Sequence, residues 1–233
     1  MWNEIADCVP DWHADQVTVD WMLEQHVSQL PAAAVVIDLG CGAGDSVDLF
    51  SRILPSCAWT GVDIEDSPEV KLRRKTEANF KTFDGVNVPA GDQEVDLVYS
   101  KHVLEHVRHP EALLREVRRV LKPSGLFIGS TSHLEPYHSF QFWNFTPYGF
   151  RRILEDAGMV LREIRPGIDG RTLVERTYAG RPKSYSKYFS ETSPLNGEID
   201  RWGTNTGRSI KQVLVRKLSV CGQFAFVATR AST

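Results

Sequence analysis

The stretch Val36-Ile37-Asp38-Leu39-Gly40-Cys41-Gly42-Ala43-Gly44 runs an apolar segment directly into three alternating glycines. The apolar run, from Ala34 to Leu39, predicts a strand buried on both faces, as in a parallel sheet. Beyond the glycines, Asp45–Leu54 places Val47, Phe50 and Leu54 on one helical stripe, and Pro55 stops the pattern. Strand, glycine turn and helix in this order form a ligand cradle. The glycines allow tight angles and close main-chain approach, and the helix start offers free N–H groups. The dinucleotide spacing Gly-x-Gly-x-x-Gly is broken, because the third glycine would fall at Asp45 or at Val47. A nicotinamide-dependent dehydrogenase is therefore disfavoured.

Working outward, Trp59–Ile64 reads as a second strand, Asn79–Phe83 as a third and Val95–Tyr99 as a fourth. Asp63 closes the second strand 19 residues after Gly44, where a carboxylate can accept both hydroxyls of a ribose. Pro110 opens a helix with Leu113, Leu114, Val117, Val120 and Leu121 at core spacing, and Lys122–Gly125 turns into a fifth strand, Leu126–Thr131. A helix over Pro147–Ala157, a strand over Met159–Arg165, an amphipathic stretch over Ser209–Leu218 and a last strand over Gln223–Thr229 follow. An N-terminal helix is expected around Val17–Leu30. Strands alternating with helices imply βαβ units and an α/β sheet covered on both faces. Two segments break the rhythm: the aromatic, histidine-rich Ser132–Thr146, and the polar Pro166–Arg208, longer than ordinary connections.

Composition narrows the function classes. The 233 residues carry a net charge of -3, with 42% hydrophobic and 24% charged residues. That is ordinary for a globular domain, and the acidic balance argues against a phosphate-gripping nucleic-acid binder. No apolar run is long enough to span a membrane, and the N-terminus lacks a signal-peptide pattern. The four cysteines, Cys8, Cys41, Cys57 and Cys221, form no C-x-x-C pair, so reduced thiols in a cytoplasmic protein are expected.

Ile37–Gly44, Gly61–Ile64, Phe83-Asp84-Gly85, Val95–Tyr99 and Arg119–Gly125 stand in an order that resembles class I S-adenosylmethionine-dependent methyltransferases. The likeness is greatest to the small-molecule (type 11) group and covers about residues 35–165. It implies a Rossmann-like doubly wound sheet of seven strands, order 3-2-1-4-5-7-6, with the last antiparallel. The implied cofactor is S-adenosylmethionine, held by Asp38, Gly40, Cys41, Gly42, Gly44, Asp63, Ile64, Asp84, Gly85 and Ser100. One methyltransferase domain is expected: a helical cap at 1–33, a cofactor-binding core at 34–165, an insertion at 166–208, and a last helix and strand at 209–233.

The acceptor side is read from chemistry. Methyl transfer from a sulfonium gains from alignment and water exclusion, and a hydroxyl acceptor also gains from a base. On a helix, His102, His106 and His109 would share one face with Glu105, opposite Val103, Leu104 and Val107. That face is a hydrogen-bonded surface, a base at His102 or His106, or a metal site; no metal ligand set is assigned. His133, Tyr137, His138, Trp143 and Asn144 follow the fifth strand at the sheet edge that binds ligands, and their mixture of rings and polar groups suits a small-molecule or glycan acceptor. The six basic side chains from Arg165 to Lys187 suggest an anionic acceptor, a solvated insertion or a dimer-forming arm. O-methylation is expected; N-methylation of an amine and a non-catalytic cofactor-binding module are the alternatives. The place after the fourth strand reads Ser100-Lys101-His102 rather than Asn/Asp-Pro-Pro-aromatic, so no nucleic-acid partner is expected.

Overall fold

The computed structural model describes residues 2–231; Met1, Ser232 and Thr233, at the ends of the expected cap and last segment, lie outside the described residues. In chain order the elements are α1 (Val19–His26), β1 (Val35–Leu39), α2 (Ser46–Ile53), β2 (Ala58–Asp63), β3 (Phe80–Thr82), β4 (Val95–Lys101), α3 (Pro110–Val120), β5 (Leu121–Ser132), α4 (Pro147–Asp156), β6 (Met159–Pro166), α5 (Gly170–Tyr178), α6 (Pro194–Asn205), α7 (Ile210–Leu218) and β7 (Gln223–Arg230). The seven strands form one sheet in the order β3-β2-β1-β4-β5-β7-β6. β7 runs antiparallel to both of its neighbours, and the other pairings are parallel. The expected fold and strand order are therefore observed.

The apolar run of β1 is explained by its position. It pairs with β2 on one side and β4 on the other, so both faces are covered by helices. On one face Leu113, Leu114, Val117, Phe150, Leu154, Leu214 and Leu218 from α3, α4 and α7 pack on Ile37, Leu39, Val98, Phe127 and Phe226. On the other face Met22, Leu23 and Phe50 from α1 and α2 pack on Val36, Leu97, Tyr99 and Ile128. Pro110 at the start of α3, and the Ser209–Gln212 capping box of α7, supply the helix starts.

Two expectations change. Residues 102–109 are not an α-helix: His102 adopts φ +56°, and only Leu104–His106 make a single 3-10 turn. Pro110 keeps His109 out of the helical region, so the loop cannot run on into α3. The three histidines thus share no helical face. The segment 166–208 is also more regular than a polar excursion, because it contains α5 and α6 with a 3-10 turn between them. Asp169 caps α5 through Thr172 N, and Asn196 is buried in hydrogen bonds to Gln16 and Gly167. Among the described residues no helix is long and apolar enough to cross a membrane.

Candidate active site

A cavity of about 660 Å³ opens at the carboxyl ends of β1, β2 and β4, between the glycine loop and the loop after β4. Gly40 and Gly42 form its floor at φ +72° and +48°. These angles disfavour any side chain, and a Cβ on Gly40 would lie 2.2 Å from Val103 Cγ2. Asp63, Ile64, Asp84 and Gly85 line the side under β2 and β3.

Asp63 is buried at the end of β2, and each of its oxygens accepts one backbone N–H. Gly42 N donates to Oδ2 at 2.7 Å and Ile64 N to Oδ1 at 2.7 Å. Burial raises its pKa against those bonds, and each oxygen keeps a lone pair for the cavity. Asp84 is exposed, and bonds from Asn87 and Val86 hold its carboxyl below the usual range. Arg73 braces the loop by donating to Gly42 O at 2.9 Å while its guanidinium lies over Phe80.

Four further residues of the expected cofactor set stand behind the lining. Asp38 is buried with the Ser46 hydroxyl donating to it, and burial pushes its pKa up to about 7. Burial pushes the Cys41 thiol up to about 12, with Arg73 Nη2 at 3.4 Å from its sulfur. Gly44 turns against Phe80. Ser100 is buried, and its hydroxyl has no partner among the described residues.

Lys101, His102, His106, Arg108, His109, Phe140 and Phe142 are among the residues of the facing wall. His102 and His106 therefore meet in the cavity although the helix expected to align them is absent. His102 Nδ1 lies 3.2 Å from Oε1 of Glu105, a side chain with no exposed surface. Thr131 and Ser132 hydroxyls donate to the same carboxylate at 2.9 and 3.1 Å. Burial opposes charge on both partners, but their mutual bond outweighs it, raising the His102 pKa and lowering that of Glu105. The sequence places Glu105 only as a neighbour on the expected histidine face; an acid set among Val103, Leu104 and Val107 is the signal that marks it as buried.

The five expected acceptor residues divide. His138 packs edge to face on His106, with ring centroids 5.3 Å apart, beside the main cavity. Trp143 donates Nε1–H to Val107 O at 2.8 Å, and Tyr137 is exposed. His133 and Asn144 face a second, shallower cleft against Val174 and Tyr178 of α5. Arg165 does not face an acceptor: it is fully buried on β6, bonded to Glu163 and covered by the Trp12 ring.

Comparison with known proteins agrees with this geometry. Residues 37–129 match the family model described as a methyltransferase domain. The chain is 34% identical over 98 residues to trans-aconitate 2-methyltransferase of Variovorax paradoxus, covering 42% of this chain and 38% of that protein. It is 24% identical over 147 residues to ubiquinone biosynthesis O-methyltransferase of Cereibacter sphaeroides, covering 58% and 60%. The chain thus spans under two thirds of the length of these relatives. Among solved structures, geranyl diphosphate C-methyltransferase of Streptomyces coelicolor superposes with a TM-score of 0.58 at 16% identity, covering 91% of this chain and 76% of that one. The domain match over residues 37–129, the sheet order and the glycine loop together agree with the resemblance to class I S-adenosylmethionine-dependent methyltransferases.

Proposed function

We infer that this chain methylates a hydroxyl of a small-molecule or glycan-type acceptor, using His102 as the base. The observation that carries the reading is one cavity that has the glycine loop and Asp63 at one side and His102, bonded to the buried Glu105 behind it, at the other. Bound S-adenosylmethionine supplies an electrophilic methyl group. The residues fit that cofactor: Gly40 and Gly42 leave room beside the main chain, and Asp63 has a lone pair on each oxygen for a ribose diol. Ile64 offers an exposed apolar face for a base, and Asp84 offers an acceptor for an amino group.

Glu105 fixes the His102 ring through Nδ1, which leaves Nε2 to take the acceptor's hydroxyl proton. Phe140 and Phe142 give the cavity mouth an apolar lip that excludes water from the acceptor. The test is transfer of labelled methyl from S-adenosylmethionine to fractions of small metabolites, glycans, nucleic acid and protein. Label is expected in the small-molecule or glycan fraction. His102→Ala is expected to lower turnover about 10²- to 10⁴-fold, the usual range for a positioned acid–base group, with cofactor affinity unchanged. Label in nucleic acid or protein overturns the acceptor class, and full turnover in His102→Ala overturns the base.

A further inference from the structure

His106 and His138 stand beside the His102–Glu105 pair and have no part in the reading above. They come from separate segments, the loop after β4 and the loop after β5. One nitrogen of each ring and one oxygen of Glu105 lie within 4.8 Å of one another, and His102, Glu105 and Glu135 form an overlapping group of the same size. His138 turns Nδ1 toward Pro136 O at 3.4 Å and toward Glu135 at 3.7 Å, which leaves Nε2 as its ligating nitrogen.

The charge balance is a second, independent observation. Glu105 has no exposed side-chain surface and Glu135 has 11%. The single hydroxyl of Ser132 lies 3.1 Å from one carboxylate and 2.6 Å from the other. The ion-pair partners of the two acids are histidines, with no Lys or Arg among the described residues. Two carboxylates this close and this dry repel each other unless a cation or proton is shared between them.

We propose that Glu105, His106 and His138 bind one divalent transition-metal ion. Two imidazole nitrogens and one carboxylate suit Zn²⁺ and its neighbours, rather than Mg²⁺ or Ca²⁺, which take oxygen ligands. Tetrahedral ligand atoms around such an ion stand roughly 3.3–3.5 Å apart, so the three groups need to close up by at most about 1.5 Å on binding. Glu135 beside His138 Nδ1, and Thr131 on Glu105, supply the outer carboxylate and hydroxyl that orient metal ligands. His106 lines the main cavity, so the open coordination position faces the acceptor. There the ion would hold an acceptor oxygen next to the one methylated, which selects acceptors with adjacent oxygens. That last step rests on the methyl-transfer reading, whereas metal binding does not.

The experiment is metal binding by the whole chain. Protein stripped with a chelator is equilibrated with Zn²⁺ or Co²⁺ alone, dialysed, and assayed for bound metal and for visible Co²⁺ absorption. One equivalent is expected in the parent protein, with the intensity of a low-coordinate Co²⁺ site. His106→Ala and His138→Gln are expected to lose stoichiometric binding, and His109→Ala to keep it. Circular dichroism verifies that each variant is folded, and the parent protein alone decides if none is. No stoichiometric metal in the parent protein overturns the site, as does full binding by both folded ligand variants. Stoichiometric Co²⁺ without methyl transfer overturns the enzymatic reading and supports the site.

Discussion

Gly42 donates its amide hydrogen to Asp63 Oδ2 at 2.7 Å, so the loop after β1 and the end of β2 are one unit. Asp63→Ala removes both acceptors offered to a ribose and strands the Gly42 N–H. Each lost bond to a charged group costs about 1.5–3 kcal/mol, so two correspond to roughly 100-fold or more in affinity. Calorimetric titration with S-adenosylmethionine checks this. An affinity within threefold of the parent protein would remove Asp63 from the binding site.

Gly40 sits at φ +72° with its missing Cβ pointing into Val103. Gly40→Ala therefore combines left-handed strain of about 1–2 kcal/mol with a steric overlap. A fall in melting temperature is expected. Val103→Ala in the same chain is expected to return the overlap part and leave the strain. Thermal denaturation of the two single variants and the double variant measures this coupling. Strict additivity would show that the loop moves away from Val103.

The parts legible in the sequence are those whose cause is local. The run Val36–Leu39 is apolar because β1 is covered on both faces, and Gly40 and Gly42 are glycines because their φ values are positive. The helix expected over His102–His109 failed because a distant partner decides it: Val103 fills the space over Gly40, and Pro110 restrains His109. That proline was a visible warning. The meeting of His106 with His138 was not legible, because it depends on two loops brought together by β4–β5 pairing. Arg165 carried a charge that pointed outward on composition, and only the fold shows it enclosed.

The Arg165 enclosure gives its own prediction. Its guanidinium bonds Glu163, donates to His13 O at 2.7 Å and Trp12 O at 3.2 Å, and lies 4.3 Å from the Trp12 ring centre. It therefore ties the N-terminal segment to β6. Arg165→Ala leaves the half-buried Glu163 with His26, at 3.3 Å, as its one ion-pair partner among the described residues. Breaking a buried pair in this way costs about 3–5 kcal/mol. Arg165→Lys is expected to recover little, because an ammonium cannot fork to two carbonyls and stack on a ring. Urea denaturation checks both variants. Unchanged stability with weakened acceptor binding would restore the anion-recognition role expected from the sequence.

Asp38 predicts a pH dependence of stability with a definite sign. Burial lifts its pKa from 3.8 to about 7 in the folded protein, although Ser46 donates a hydrogen bond to it. Between those values the folded protein holds a proton that the unfolded chain has lost. The folded state binds more protons, so this group subtracts stability as pH rises from about 4 to 7 and levels off above that. Asp38→Asn keeps an oxygen for Ser46 and removes the titration. The variant should match the parent protein near pH 4 and exceed it at pH 8, by up to about 4 kcal/mol for a shift of some three pH units. Carboxylates elsewhere that favour high pH act equally on both proteins and cancel in the difference. Denaturant unfolding of the pair at pH 4.5 and pH 8 decides: a difference that does not grow with pH would mean that Asp38 is charged in the fold and held by cations or water at the base of the glycine loop.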